Sequence, residues 1–178
     1  MKRINVIGTS GSGKTTFSRQ LANQLNYPYM EMDALFWQPR WQTTPYHEFI
    51  EGLSASLTQE RWVLDGNYNR TNAIKWAHAD TVIWIDYGLL RTLYQAIKRA
   101  LIRSYTKQEL WAKTGNVESF KKSFMSKDSI IIWTLKTYRL NRVRYAQLFN
   151  DSQYAHITFV RVTSPQQAKK ILLTLTPQ

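Results

Sequence analysis

The stretch GTSGSGKT, residues 8–15, decides the fold of this chain. It fits the pattern G-x-x-x-x-G-K-[ST], with a short apolar run before it and a helical pattern after it. Glycines let the backbone turn its N–H groups onto phosphate oxygens, and a helix N-terminus adds the positive end of its dipole. The residues expected to bind nucleotide phosphates are Gly8, Ser10, Gly11, Ser12, Gly13, Lys14, Thr15 and Thr16.

Two side chains of this loop have specific chemistry. Lys14 is placed to reach the β- and γ-phosphates, and the Thr15 hydroxyl is placed to ligate Mg²⁺. A dinucleotide-binding G-x-G-x-x-G loop is excluded, since only Gly11 and Gly13 match it and Lys14 and Thr15 would have no function there. The loop therefore predicts a nucleoside triphosphate, bound with magnesium.

Outward from the loop, short apolar runs alternate with helical patterns. Continuously apolar strands are typical of a parallel sheet covered on both faces, so the chain predicts a doubly wound α/β fold in one domain, residues 1–178. The predicted strands are Ile4–Ile7, Tyr29–Met32, Trp62–Leu64, Val82–Ile85 and Ile157–Val162. The predicted helices are Lys14–Leu25, Pro45–Leu57, Leu89–Arg103, Asp128–Phe149 and Pro165–Leu173.

Composition excludes several classes of protein. The chain has no cysteine, which removes disulfides and thiolate metal sites, and its three histidines lack the spacing of a zinc site. No run approaches the ~18 apolar residues of a membrane span. The N-terminus lacks the apolar core of a signal peptide. We therefore expect a cytoplasmic protein with no membrane partner.

The net charge of +12 is concentrated in one segment. Residues 91–144 carry thirteen Lys/Arg and three acidic residues, whereas residues 1–90 are balanced. Such a segment predicts an anionic partner, which leaves nucleic acid, a nucleotide or an anionic metabolite. Within it, residues 104–127 are polar and weakly periodic, and we expect them to form a lid inserted into the domain.

Acidic residues follow three of the strands. Asp65, which is followed by a glycine, is expected to hold Mg²⁺ at the carboxyl edge of the sheet, with Asp86 as the rival. Asp33 is expected either to orient or deprotonate an acceptor hydroxyl or to cap the next element. Trp37 and Trp41 predict either a pocket for a flat or sugar-like acceptor or core packing under a loop.

The basic helix near residues 130–149 is divided by its helical phase. At about 100° per residue, Arg139 and Arg142 share the arc of the aliphatic residues, which predicts that they face a cleft and clamp phosphates. Arg144 points elsewhere and is expected to face solvent or a partner, whereas Lys136 is undecided. In the preceding helix Arg99 and Arg103 share one face and are expected to act on the same phosphates.

These features favour a small kinase that transfers the γ-phosphoryl group of ATP to a second substrate. The N-K-x-D sequence of a GTPase is absent, and the chain is too short for a motor or helicase core. Two alternatives remain, namely a nucleic-acid-binding protein, because of the basic segment, and a nucleotide-dependent switch. The sequence does not specify the acceptor, the choice of ATP over GTP, or the oligomeric state.

The sequence resembles the adenylate-kinase-like P-loop kinases, and within them the bacterial "topology modulation protein" family. The matching stretches include GTSGSGKTT, MDALFWQPRW, WVLDGNY and YRLNRVRY. The resemblance implies a three-layer P-loop fold with five parallel strands in the order 2-3-1-4-5 and a helical lid. It also implies ATP as donor and adenine beside Ser164 and Pro165. The AMP-reading Asp-Gly-x-Pro-Arg motif of adenylate kinases is altered here, since Asp65 and Gly66 lead to Arg70 without the proline.

Overall fold

The structure, a computed structural model, describes residues 1–120, 124 and 129–175, and for residues 130 and 131 the backbone only. The predicted lid residues 121–123 and 125–127, and the predicted helix start at Asp128, lie outside the described residues.

A five-stranded parallel sheet forms the centre of the domain. Its strands are β1 (Arg3–Gly8), β2 (Tyr29–Glu31), β5 (Trp62–Asp65), β6 (Thr81–Ile85) and β7 (Thr158–Val162). They lie in the order β2-β5-β1-β6-β7, and each neighbouring pair is parallel. Counted within this sheet alone, the order is 2-3-1-4-5. The strands β3 and β4 are not part of this sheet. They form a small hairpin that was not predicted from the sequence.

Helices cover both faces of the sheet. They are α1 (Lys14–Leu25), α2 (Met32–Phe36), α3 (Tyr46–Leu57), α4 (Asn72–His78), α5 (Leu89–Thr106), α6 (Ile130–Leu148) and α7 (Pro165–Thr174). One apolar core lies between the sheet and α1 and α7, around Leu21 and Val162. The other lies under α3 and α4 and around Tyr145 of α6. The predicted three-layer α/β fold is confirmed.

The region after β2 departs from the predicted elements. Met32, predicted to end the strand, begins α2, and a hairpin of β3 (Trp37–Gln38) and β4 (Gln42–Thr43) follows. A short turn of 3-10 helix over Pro39–Trp41 joins its strands, with Arg40 at a φ of 61°. We call residues 37–43 the arm. Its side chains and those of α2 lie at the carboxyl edge of β2 and β5, where a ligand site is expected.

The predicted lid begins later than the sequence indicated, since residues 104–106 complete the last turn of α5. The described part of the lid from residue 107 to residue 119 is irregular, with a single antiparallel bridge between Glu109 and Val117. None of the described helices is long and apolar enough to cross a membrane.

Candidate active site

The loop between β1 and α1 has the geometry of an anion cradle. Gly11 and Gly13 adopt φ angles of 82° and 90°, which other residues reach only with strain. Gly13 caps α1 without a side-chain hydrogen bond, and the first turn of the helix carries no acidic residue. The first N–H groups of α1, beside Lys14 and Thr15, therefore have no side-chain cap, and such groups can bind a phosphate.

Asp65 lies beside this cradle, at the end of β5. Its side chain is only 2% exposed, and Oδ1 has no hydrogen-bond partner in the part of the chain that the structure describes. Burial raises the pKa of Asp65, the charge of Lys14 and the Thr15 hydroxyl oppose this rise, and Glu31 and Asp33 add to it. An unpartnered carboxylate oxygen next to a Thr hydroxyl fits Mg²⁺, which prefers oxygen ligands. Thr15 and Asp65 are thus the residues that would hold the metal.

A hydrogen-bonded network links Asp65 to the lid. The Tyr29 hydroxyl lies 3.1 Å from Asp65 Oδ2 and 3.2 Å from Glu31 Oε2. Glu31 also pairs with Arg19 at 3.0 Å and accepts a hydrogen bond from the Trp111 indole N–H at 3.2 Å. Burial, followed by the charges of Asp65 and Glu31, raises the pKa of Tyr29, so the phenol keeps its proton. Tyr29 can donate that proton to only one of the two carboxylates at a time.

Asp33 lies on the acceptor side of the site. Its Oδ1 accepts a hydrogen bond from the Tyr68 hydroxyl at 2.7 Å, which leaves Oδ2 for another donor. Burial and the charge of Asp33 raise the pKa of Tyr68, so this donor stays protonated. Asp33 is half-buried and lines the same cavity as Lys14 and Thr15. The Tyr68 hydrogen bond therefore orients this carboxylate on the lining of the cavity.

Three tryptophans form a wall of this cavity. Trp37 and Trp41 of the arm are joined by Trp111 of the lid, which stacks on Trp37 with ring centroids 6.3 Å apart and meets Trp41 edge-on at 5.9 Å. Trp37 and Trp41 meet edge-on at 5.6 Å. Of the two sequence interpretations, the pocket wall fits this arrangement, because all three residues line the cavity.

Asn116 fastens the lid to the arm. It is 1% exposed, its Nδ2 donates to the Gln38 carbonyl, and its Oδ1 accepts from the Trp41 N–H, both at 2.9 Å. The lid also contacts α5, through the ion pair of Glu118 with Arg103 at 2.9 Å. The described part of the lid thus closes over the acceptor side of the cavity.

Arg99 reaches the phosphate loop from α5. One of its terminal nitrogens donates to Ser10 Oγ at 3.1 Å. Burial, followed by the nearby charge of Arg103, lowers the pKa of Arg99. Both arginines line the cavity, but Arg103 is already paired with Glu118. A role for either in clamping phosphates remains a prediction.

The basic helix α6 turns a different set of cations to the cavity from the one expected. Lys136 and Arg144 line it, whereas Arg139 and Arg142 do not. Arg142 instead pairs with Asp86 at 3.0 Å. The predicted orientation of Arg139 and Arg142 toward this cavity was therefore wrong. Arg144 is exposed to solvent, as expected, and also borders the cavity. A catalytic role for Arg139 and Arg142 stays a prediction.

The physical reason lies in which side of α6 is buried. Its buried residues are Thr134, Tyr138, Asn141 and Tyr145, which pack on the phosphate loop and the sheet. The aliphatic arc of the helix, which was assumed to face the interior, is exposed. Its members are Ile132, Leu135 and Val143.

Asp86 is engaged elsewhere and is a poor rival for the metal. It is buried at the end of β6, where Arg142 pairs with Oδ1 and the Arg161 Nε donates to Oδ2 at 2.9 Å. Two guanidinium groups therefore neutralise this carboxylate. Asp65, by contrast, keeps an unpartnered oxygen beside Lys14, which favours the original preference for Asp65.

The remaining predicted nucleotide contacts lie outside the cavity lining. Ser164 caps α7 by accepting a hydrogen bond from the Gln167 N–H at 3.2 Å, and Pro165 begins that helix. Thr16 is exposed in the first turn of α1, and Ser12 Oγ is buried without a partner among the described residues. Their contact with a nucleotide stays a prediction.

Two residues that sequence reasoning missed support the loop after β5. Asn67 exchanges two hydrogen bonds with the backbone of Gly8, at 2.9 Å and 2.8 Å. Lys75 is fully buried, and its Nζ donates to the carbonyls of Asn67 and Gly66. Asn67 could have been noticed because it follows Asp65-Gly66 at a strand end. Nothing in the sequence around Lys75 indicates a buried amine.

The parts described above meet in one cavity of about 920 Å³. Lys14 and Thr15 lie at its phosphate side, Asp33 and the tryptophans at its acceptor side, and Arg99 contacts Ser10 on its wall. The family model described as shikimate kinase matches residues 10–74, which is well under half of the chain. No curated protein matches the sequence significantly.

Several solved structures of small-molecule kinases share the fold. A shikimate kinase from Acinetobacter baumannii in complex with shikimate superposes with a TM-score of 0.56 at 13% identity, covering 97% of this chain and 89% of that one. A gluconokinase from Sinorhizobium meliloti 1021 gives 0.52 at 15% identity, with 97% and 87% covered. A sugar kinase from Janibacter sp. HTCC2649 gives 0.51 at 13%, with 97% and 93% covered. This chain therefore shares the α/β fold of these structures.

Proposed function

We propose that this protein is a kinase that transfers the γ-phosphoryl group of ATP to a hydroxyl group of a small molecule. The observation that carries the proposal is the single cavity that holds both halves of such a reaction. Lys14 and the free N–H groups of α1 face one side, and a half-buried carboxylate with one available oxygen faces the other. The fold shared with shikimate, gluconate and sugar kinases supports it. A cytoplasmic setting, where ATP is available, is part of the proposal.

Each side chain has a definite task in this reaction. Asp33 Oδ2 accepts the proton of the acceptor hydroxyl while the acceptor oxygen bonds to the γ-phosphorus. The bond from the γ-phosphorus to the β–γ bridging oxygen breaks, and ADP leaves. Lys14 and Arg99 lie where they would neutralise charge on the phosphate oxygens. Magnesium held by Thr15 and Asp65 would supply further neutralisation of the β- and γ-phosphates.

The narrower resemblance to topology modulation proteins and the basic segment suggest nucleic-acid binding as the alternative. Three of the described cations in the basic segment are engaged within the protein. Arg99 contacts Ser10, Arg103 pairs with Glu118, and Arg142 pairs with Asp86. These contacts explain several of the cations without nucleic acid, so the kinase is the better-supported function.

A phosphate-transfer screen tests the proposal. ATP labelled at the γ-phosphate is incubated with the protein and a library of nucleosides, sugars and other hydroxylated metabolites. We expect transfer to one chemical class of acceptor, loss of transfer in Lys14→Ala, and a loss of about 10²-fold or more in Asp33→Asn with ATP binding retained. If Lys14→Ala turns over as well as the parent protein, the proposal is wrong. Retention of DNA at physiological salt without any transfer would favour the alternative.

A further inference from the structure

The outer face of α5 carries large apolar side chains, whereas the buried side chains of its inner face are small. The residues packed against the domain are Thr92, Ala96 and Ala100. The exposed residues include Leu90 at 84%, Tyr94 at 65% and Tyr105 at 90% exposure. A helix on the surface of a globular domain normally has the reverse arrangement.

The exposed apolar side chains form one continuous strip, which we call the α5 stripe. Its members are Leu90, Tyr94, Ile97, Leu101 and Tyr105. Their spacing of four, three, four and four residues keeps them on one side of the helix for about 22 Å. Scattered exposed apolar residues are ordinary on a protein surface, but a continuous strip marks an interaction site.

The charge around the α5 stripe decides among possible partners. Arg91 and Lys98 are exposed and, at about 100° per residue, lie along one edge of the stripe. Neither α5 nor the neighbouring α6 contains an aspartate or glutamate. A second copy of this chain placed face to face would therefore bring cations together with no acid on these helices to pair with them. Charge complementarity points to an anionic partner.

Among anionic partners, the stripe fits a lipid surface better than a nucleic acid. Nucleic-acid backbones are bound mainly by cations, and a strip of Leu, Ile and Tyr contributes little to phosphate contacts. An anionic membrane uses both features, because aliphatic side chains enter the headgroup boundary, tyrosines lie at the interface and flanking cations meet lipid headgroups. We infer that the α5 stripe docks this protein peripherally on an anionic lipid membrane. This inference does not depend on kinase activity.

Vesicle co-sedimentation of the full chain tests the inference. One set of vesicles contains phosphatidylcholine alone, and the other contains equal parts phosphatidylcholine and phosphatidylglycerol. The apolar variant is Leu90→Gln with Leu101→Gln, and its control is Leu173→Gln, an exposed leucine on α7. The charge variant is Arg91→Gln with Lys98→Gln, and its control is Lys169→Gln with Lys170→Gln on the same distant helix. Circular dichroism and ATP binding confirm that each variant is folded.

We expect binding to the anionic vesicles, little binding to the neutral ones, and weaker binding at high salt. The apolar variant and the charge variant should each lose about tenfold or more in partition, and both controls should bind like the parent protein. Equal binding to both vesicle types, or no binding to either, overturns the inference. So does a parent protein that sediments as a dimer while the apolar variant is a monomer, or one that retains DNA in place of vesicles.

Discussion

Asn67 and Gly8 are joined by two hydrogen bonds of opposite direction. The Gly8 N–H donates to Asn67 Oδ1 at 2.9 Å, and Asn67 Nδ2 donates to the Gly8 carbonyl at 2.8 Å. A primary amide is suited to this position because it presents a donor and an acceptor side by side. One side chain thus ties the acceptor-side loop to the first residue of the phosphate loop.

Replacing Asn67 with alanine should therefore loosen both loops. We expect Asn67→Ala to lower the free energy of unfolding by about 1–3 kcal/mol, because two partly buried backbone groups lose their partners. Chemical denaturation measures the loss of stability, and kcat/KM for ATP turnover reports on the loosening of the two loops. Asn150→Ala, which removes an exposed amide near the end of α6, is the control. A variant at Asn67 as stable as the parent would show that the pair carries little energy.

Lys75 should make the free energy of unfolding rise with pH. Burial lowers the pKa of Lys75 from 10.5 to about 7. Between these values the unfolded chain binds the proton and the folded chain does not, so the free energy of unfolding rises with pH. We expect a contribution of up to about 1.4 kcal/mol per pH unit. Denaturation between about pH 7 and about pH 9.5, before free tyrosines titrate, measures it. Lys75→Met should remove this slope, and Lys170→Met, at an exposed site, should keep it.

Replacing aspartate with asparagine should change the stability of the protein in opposite directions at Asp65 and Asp80. Burial raises the pKa of Asp65, so its stabilising contribution is lost as pH rises, and Asp65→Asn should stabilise the ligand-free protein at neutral pH. Although burial opposes it, hydrogen bonds from Thr81 and from the Lys2 and Arg3 backbones lower the pKa of Asp80. Its contribution is present at neutral pH and is lost on acidification, so Asp80→Asn should destabilise.

Thermal unfolding of the two variants at neutral and acidic pH measures this contrast. The difference between each variant and the parent protein should shrink as pH falls, because both carboxylates become neutral. Asp65→Asn should also need more Mg²⁺ for turnover, whereas Asp80→Asn should not. Loss of stability in both variants at neutral pH would contradict the assignment of Asp65 as a ligand-binding carboxylate held at the expense of stability.

Substitutions at two arginines of α6 should have different effects. Loss of Arg144 should lower catalysis, whereas loss of Arg142 should lower stability. Arg144 lines the cavity, and Arg144→Ala should lower kcat/KM by about 10- to 100-fold with little change in stability. Arg142→Ala should instead cost about 1 kcal/mol of stability, because Arg161 still pairs with Asp86. Steady-state kinetics and denaturation of both variants measure the kinetic loss expected at Arg144 and the stability loss expected at Arg142. A larger kinetic loss at Arg142 would restore the assignment based on helical phase.

Asn116 should control the position of the lid. Asn116→Ala leaves the Gln38 carbonyl and the Trp41 N–H without this partner, and the contact between Trp111 and the arm should weaken. We expect tryptophan emission to shift to longer wavelength and proteolysis after Lys113 to accelerate, as exposed loops are cut first. Asn150→Ala serves again as the control. An unchanged emission spectrum would show that the other contacts of the lid hold it in place without Asn116.

Local patterns predicted the secondary structure around the phosphate loop well. The bounds of α1, Lys14–Leu25, agree with the sequence interpretation because the glycines, the preceding strand and the following helix are contiguous. Contacts between distant residues could not be predicted in the same way. Trp111 and Glu31 lie 80 residues apart in the sequence and are brought together only by the tertiary fold.

The error on α6 has a different origin. The helical-phase argument assumed that an aliphatic arc faces the core, but α6 buries Tyr138 and Asn141 and exposes Leu135. This outcome reflects the surface on which the helix lies. The phosphate loop and its neighbours offer backbone carbonyls and hydroxyls, and the polar face of α6 satisfies them. A single sequence carries no information about that surface before the fold is known.

The close contact of Gly11 with α5 restricts how the chain can change over evolution. A Cβ atom at residue 11 would lie 2.7 Å from the Thr92 carbonyl oxygen and 2.8 Å from the Ala96 Cβ, so neither partner can grow alone. A larger residue at position 96 would displace the phosphate loop without touching any ligand. Residues 11 and 96 therefore form a size-matched pair that homologous chains should vary together or not at all.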